Sequence, residues 1–174
     1  MYPINSFYTI TDQTLYIRSA YQAIANTEIE ELKGTRYVMQ SVQHIIEQAC
    51  IQNGSSYQGR ATAMQALFKL KQNPPIPINP AYDLYAFATH SPRQDQCVWI
   101  ITKHIKYIDE REKEAIIQYT NGKVLRIPMS KRRVQRVCAY LYKYHLYFKN
   151  PVECKTSKVF ASENSLSSIK DTYN

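Results

Sequence analysis

Ile116-Ile117-Gln118-Tyr119-Thr120-Asn121-Gly122-Lys123-Val124-Leu125-Arg126-Ile127 sets two alternating apolar arms on either side of an Asn-Gly pair. Asn and Gly tolerate the positive φ values of a type I′ turn, whose twist matches that of paired strands. The stretch therefore predicts a two-residue β-hairpin, and with it an antiparallel sheet. The arms present Gln118, Thr120, Lys123 and Arg126, so the tip reads as polar and basic. A two-stranded ribbon of this kind can enter a DNA groove. An ordinary surface hairpin is the plain alternative.

The hairpin opens a tract, residues 115–152, that contains no acidic residue. It carries Lys123, Arg126, Lys131, Arg132, Arg133, Arg136, Lys143 and Lys149. The whole chain of 174 residues has 22 Lys and Arg against 14 Asp and Glu, a net charge of +8, so residues outside the tract sum to zero. Concentrated cations attract polyanions by Coulomb force and by counterion release, and DNA is the commonest such partner. A solvated basic surface with no partner is the bland alternative.

Downstream of the hairpin, Ser130 reads as the N-cap of a helix over 131–148. Val134, Val137, Cys138, Leu141, His145 and Phe148 follow helical spacing and are expected to pack inward. Arg132, Arg136, Tyr140, Lys143 and Tyr147 fall on another face, which interleaves cations with aromatic rings in the manner of nucleic-acid-binding surfaces. From Pro151 onward the chain is serine-rich and reads as a flexible polar tail, 151–174, behind a domain over 1–150.

Upstream, Phe7, Tyr8 and Ile10 and then Leu15, Tyr16 and Ile17 flank a turn-like Thr11-Asp12-Gln13, which predicts a strand pair. Residues 23–34, with Glu28, Glu30 and Glu31, read as a loop or short helix, and residues 36–39 as a strand. Ser41 caps a helix to about Gln52, with Val42, Ile45, Ile46, Ala49 and Cys50 as its apolar stripe and Gly54 as its left-handed stop. His44 beside the stripe reads as structural.

GSSYQGR (54–60) could cradle a phosphate through backbone N–H groups and Arg60, yet it lacks the lysine and spacing of a P-loop. A tight helix–helix turn is the favoured reading, with a second helix turning Ala63, Leu67 and Leu70 inward beside Met64. NPPIPINP (73–80) is an extended connector, since four prolines exclude helix and central strand. Residues 84–87 and 98–102 read as strands joined by a polar loop with His90, Arg93 and Asp95. Residues 105–108 continue as a half-exposed strand, and Trp99 is expected to anchor the core. The expected class is α+β: one domain with a mostly antiparallel sheet, covered on one face by two or three helices.

The composition and motifs exclude several functions. Apolar runs are too short to span a bilayer, and no secretion signal is visible, so a cytoplasmic protein is expected. Cys50, Cys97, Cys138 and Cys154 form no C-x-x-C pair, and no disulfide framework, metal site or cofactor is expected. No nucleophile elbow or paired-carboxylate signature appears. A catalytic pairing of Cys97 with His90 or His104 rests on residue types alone, and no enzymatic activity is expected.

Ala49-Cys50 with GSSYQGR, Pro74-Pro75-Ile76, THSPRQ (89–94), Cys97-Val98-Trp99-Ile100 and Asn121-Gly122-Lys123 occur here in an order and spacing that resembles the competence transcription factor family, ComK, over residues 38–144. The resemblance implies a transcriptional activator of DNA-uptake and recombination genes that binds AT-rich promoter boxes through the minor groove. It implies homodimers or higher homo-oligomers on nucleoid DNA, and control through an adaptor of a Clp-type protease. RNA polymerase is a further expected partner of such an activator.

Arg60, Lys123, Arg126, Lys131, Arg132, Arg133, Arg136 and Lys143 are the expected DNA-binding residues, with the hairpin and the last helix forming one surface. Lys131, Arg132, Arg133, Arg136 and Lys143 are expected to meet phosphates, and Arg126, Arg132 or Arg60 to enter the groove. The alternative is a protein that docks an acidic protein or RNA on the same basic aromatic face.

Overall fold

The first three strands, β1 (Thr14–Gln22), β2 (Ala25–Glu31) and β3 (Gly34–Val38), make an antiparallel meander in the computed structural model, which describes residues 7–149. The expected tail, 151–174, lies outside these residues. Residues 7–11 form no strand, but Tyr8 and Ile10 are buried in the core. The apolar positions there mark packing rather than pairing. The acidic segment expected as loop or helix is β2. Its carboxylates find partners across the sheet: Arg18 bonds Glu28 at 2.7 Å and Arg36 bonds Glu31 at 2.7 Å.

Ser41 accepts the His44 N–H and caps α1 (Val42–Gln52), which buries Ile45, Ile46, Ala49 and Cys50 as its stripe predicts. Gly54 follows with φ +83°, the conformation that ends such a helix at least cost. Ser56 caps α2 (Tyr57–Phe68). Its buried positions are Ala61 and Met64, whereas Ala63 and Leu67 are exposed. The predicted inward face was out of phase because a helix of small and polar residues gives the period little contrast.

β4 (Ile76–Asn79), β5 (Leu84–Ala88) and β6 (Val98–Ile101) complete a six-stranded antiparallel sheet in the order β3-β2-β1-β6-β5-β4. The proline-rich connector thus supplies a strand, at the edge, where Pro77 costs no ladder bond on its free side. A second sheet follows, β7 (Ile105–Arg111), β8 (Glu114–Tyr119) and β9 (Val124–Ile127). The Asn-Gly hairpin joins β8 to β9, but not through the expected two-residue type I′ turn: in its loop only Gly122, at φ +86°, has a positive φ. Gly122 N–H donates to Tyr119 O at 3.0 Å and Tyr119 N–H to Lys123 O at 2.8 Å, so Thr120, Asn121 and Gly122 form a three-residue loop.

The α+β class and the antiparallel pairing are as expected, but there are two sheets, and the larger one is covered on both faces. Ile17, Ile29, Ala86, Trp99 and Ile101 pack with α1 and Ala61. Leu15, Tyr16, Phe87 and Ile100 pack with Ile117, Tyr119, Leu125, Ile127 and Val134. Every residue of β5 is buried, the signature of a strand with a layer on either side.

α3 spans Lys131–Lys149. The described residues divide into two compact units, which part between Leu141 and Tyr142. In the first, Val134, Val137, Cys138 and Leu141 turn inward as predicted. In the second, Tyr144 is buried with its ring centroid 4.5 Å from that of Phe148, which is exposed, reversing its predicted role.

Candidate nucleic-acid interface

The start of α3 is fixed by local chemistry. Arg133 N–H donates to Ser130 Oγ at 3.3 Å, and Lys131 N–H donates to Glu110 Oε2 at 2.7 Å. A side-chain hydroxyl and a carboxylate thus occupy donors that a helix N-terminus leaves unpaired. Ala115 N–H donates to Met129 O at 2.6 Å and ties the same corner to the second sheet.

Arg132, Arg133 and Arg136 follow at once. They are exposed, and helical spacing (i, i+1, i+4) sets them within about a quarter turn of one another. Among the described residues none of the three forms an ion pair or hydrogen bond through its guanidinium. Cations near a helix N-terminus oppose its dipole, and like charges at i+3 and i+4 repel. Together these terms cost about 1–2 kcal/mol. The first turn of α3 has no acidic residue of its own, and the Glu110 carboxylate on Lys131 N–H offsets only part of this cost. A bound polyanion would offset more.

The other expected cations are placed differently. Lys123 Nζ bonds Glu30, whose side chain is 4% exposed and also accepts Thr35 Oγ1 at 2.8 Å. Asn121 Nδ2 donates to Leu32 O at 3.0 Å, so the hairpin tip is fastened to the β2–β3 turn instead of standing free. Arg126 is held between Glu112, at 2.6 Å, and Glu114, and these two hydrogen bonds raise its pKa above the ordinary guanidinium value. Lys131 Nζ lies 4.0 Å from Asp109.

The tract is acid-free in sequence but not in space. The β7–β8 hairpin supplies carboxylates to Arg126 and Lys131, and β2 supplies one to Lys123. Lys143, in the second unit, is exposed and has an interaction of its own.

Arg60 sits in the GSSYQGR turn, which is built as a helix–helix connection. Its Nη2 donates to Asn53 O, and Gly59 N–H donates to Ser56 Oγ at 3.0 Å. A Cβ at Gly59 would come within 2.7 Å of Ser55 Oγ, so a larger residue there would require that hydroxyl to turn away. The turn belongs to the α1–α2 layer, across the six-stranded sheet from α3, so Arg60 is not brought together with the α3 arginines.

The family model described as ComK protein matches residues 5–149. The chain belongs to the ComK family. The competence transcription factor of Bacillus subtilis (strain 168) is 32% identical over 95 residues, 54% of this chain and 50% of that relative. The match thus spans about half of the curated relative's length. No solved structure matches.

In this ComK-family chain the residues that sequence reasoning missed are acids. Glu30, Glu112 and Glu114 decide which cations are already occupied. No local signal marks them, because each meets its cation through the fold. Among the described residues no cluster of three or more His, Cys, Asp and Glu side chains is placed to hold a metal, and no helix is long and apolar enough to cross a membrane. Cys97 Sγ donates to the His90 carbonyl at 3.6 Å, and burial raises its pKa, neither of which prepares a nucleophile.

Proposed function

We propose that this ComK-family chain is a transcriptional regulator of competence genes that binds duplex DNA through the start of α3. The observation that carries the reading is the unpaired trio Arg132, Arg133 and Arg136 beside cations that already have carboxylate partners. Three exposed guanidiniums on one helical face suit phosphate oxygens on a duplex backbone, which they bind with bidentate, charge-assisted hydrogen bonds. The similarity to a competence transcription factor supports the same assignment.

The finer reading is that the target is AT-rich promoter DNA. The minor groove of such DNA is narrow and strongly negative, and an inserted arginine is favoured there. Arg132 or Arg136 is the residue assigned to that place, with Arg133 on the flanking phosphates. Binding as cooperating copies belongs to this reading and rests on the family resemblance.

A mobility-shift titration on AT-rich and GC-rich duplexes of equal length, at two salt concentrations, tests it. Preference for the AT-rich duplex at both salts supports groove reading. Equal affinity for both duplexes and for single strands would move the reading to an unspecific polyanion binder.

A further inference from the structure

On the far side of the six-stranded sheet, a cleft of about 670 Å³ opens between α1, the start of α2 and the loop joining β5 to β6. Ile46, Glu47, Tyr57, Pro92, Arg93 and Trp99 line it. Its size is that of a small-molecule site. Three of the sequence blocks that carry the family resemblance meet here, GSSYQGR through Tyr57, THSPRQ through Pro92 and Arg93, and Cys-Val-Trp through Trp99. The DNA-binding reading uses none of them.

The walls are held in place. Gln43 Nε2 donates to Pro92 O at 3.1 Å and ties the loop to α1. Tyr57 N–H donates to Glu47 Oε2 at 3.1 Å and ties α2 to α1. Gln94 N–H donates to Ser91 O, and Cys97 N–H to Gln94 O, both at 2.9 Å, so the loop is a built turn. The aromatic floor is an edge-on pair, Tyr57 and Trp99, with centroids 5.9 Å apart.

One donor is unspent in the cleft, the Arg93 guanidinium. Trp99 is 1% exposed and its Nε1–H is buried without an acceptor, beyond the reach of a ligand. Arg93 is exposed and makes no hydrogen bond or ion pair among the described residues. Glu47 carries a negative charge on the same wall, which disfavours dianions more strongly than monoanions.

We infer that this cleft is a binding site for a small apolar monocarboxylate, its body against Tyr57 and Pro92 above the Trp99 floor and its carboxylate on Arg93. The site stands apart from the DNA-binding reading, and its test contains no DNA.

Trp99 is the only tryptophan of the chain, so its fluorescence reports the floor of the cleft directly. The full chain is titrated with 3-phenylpropionate and, separately, with the neutral 3-phenylpropionamide. The expected result is a saturable fluorescence change with half-saturation at about 1 mM or below, and binding of the amide weaker by about tenfold. Arg93→Gln should weaken the acid by about tenfold with an unchanged melting temperature, while Arg93→Lys retains most of the affinity. No saturable response up to about 10 mM, equal binding of acid and amide, or undiminished binding by Arg93→Gln would each overturn the inference.

Discussion

Replacing Lys123 with methionine while leaving Glu30 in place separates the two roles open to a cation at the hairpin tip. The Glu30 side chain is 4% exposed and that of Lys123 is 43% exposed, so the pair is buried on the acid's side only. Removing one partner of a fully buried pair costs about 3–5 kcal/mol, because the charge left behind has lost both water and counter-charge. Here water can reach the place of the lost ammonium, and the Thr35 hydroxyl still donates to Glu30. About 2 kcal/mol is therefore expected, which lowers Tm by about 5–8 °C for a domain of this size.

Far-ultraviolet circular dichroism melts of the full chain measure this. Adding Glu30→Gln, which removes the stranded charge and keeps an acceptor for Thr35, should recover at least half of the loss. Duplex affinity of the single variant, measured well below its melting temperature, should stay within about twofold of the unmodified protein. An unchanged Tm combined with a roughly tenfold loss of DNA affinity would put Lys123 on the DNA and refute the assignment.

Neutralising Glu112 and Glu114 together to glutamine releases Arg126, and duplex affinity at low salt should rise by about threefold or more in a mobility-shift titration; no rise would mean that Arg126 stays away from the DNA path. Gly122→Ala forces a side chain onto φ +86° and should lower Tm by about 3–6 °C, with Gly122→Asn recovering part of it, since asparagine tolerates that region. Burial holds the Tyr119 hydroxyl protonated well above the ordinary phenol range. Its contribution to stability is full below pH ~10 and is lost as the pH rises past it, because the unfolded chain ionises first. Its bond to Leu15 O is long, 3.4 Å, so Tyr119→Phe should cost little near neutral pH and flatten the alkaline fall in Tm; an identical fall in the variant would assign it elsewhere.

What could be read from the sequence was whatever local chemistry decides. The Asn121-Gly122 hairpin, the Ser41 cap with its α1 stripe and the Ser130 cap each lie within a few residues of what they determine, and each stands where expected, although the hairpin loop takes three residues with Gly122 alone at positive φ. β2 escaped notice because Glu28, Glu30 and Glu31 look like solvent-facing residues until Arg18, Lys123 and Arg36 are brought to them, the second from 93 positions away. α2 was placed correctly but turned wrongly, since Ala61-x-x-Met64 gives a weak stripe. Coverage of the large sheet on both faces was visible in principle in the unbroken apolar runs of β5 and β6, whose side chains do not alternate. The arginines of α3 were identifiable as cations, but their being the unpaired ones depends on acids supplied by other strands.

The slope of log affinity against log salt, for the unmodified protein and for Arg132→Gln/Arg133→Gln/Arg136→Gln on one AT-rich duplex, addresses the central claim most directly. If the three guanidiniums each meet a phosphate, the slope for the unmodified protein is about −3 or steeper, and the triple variant loses about 3 of it, at about 0.9 per phosphate contact. Its Tm should be unchanged or higher, since the repulsion at the helix start is relieved. A triple variant that keeps both the slope and the affinity of the unmodified protein would contradict the account and place the DNA on another face.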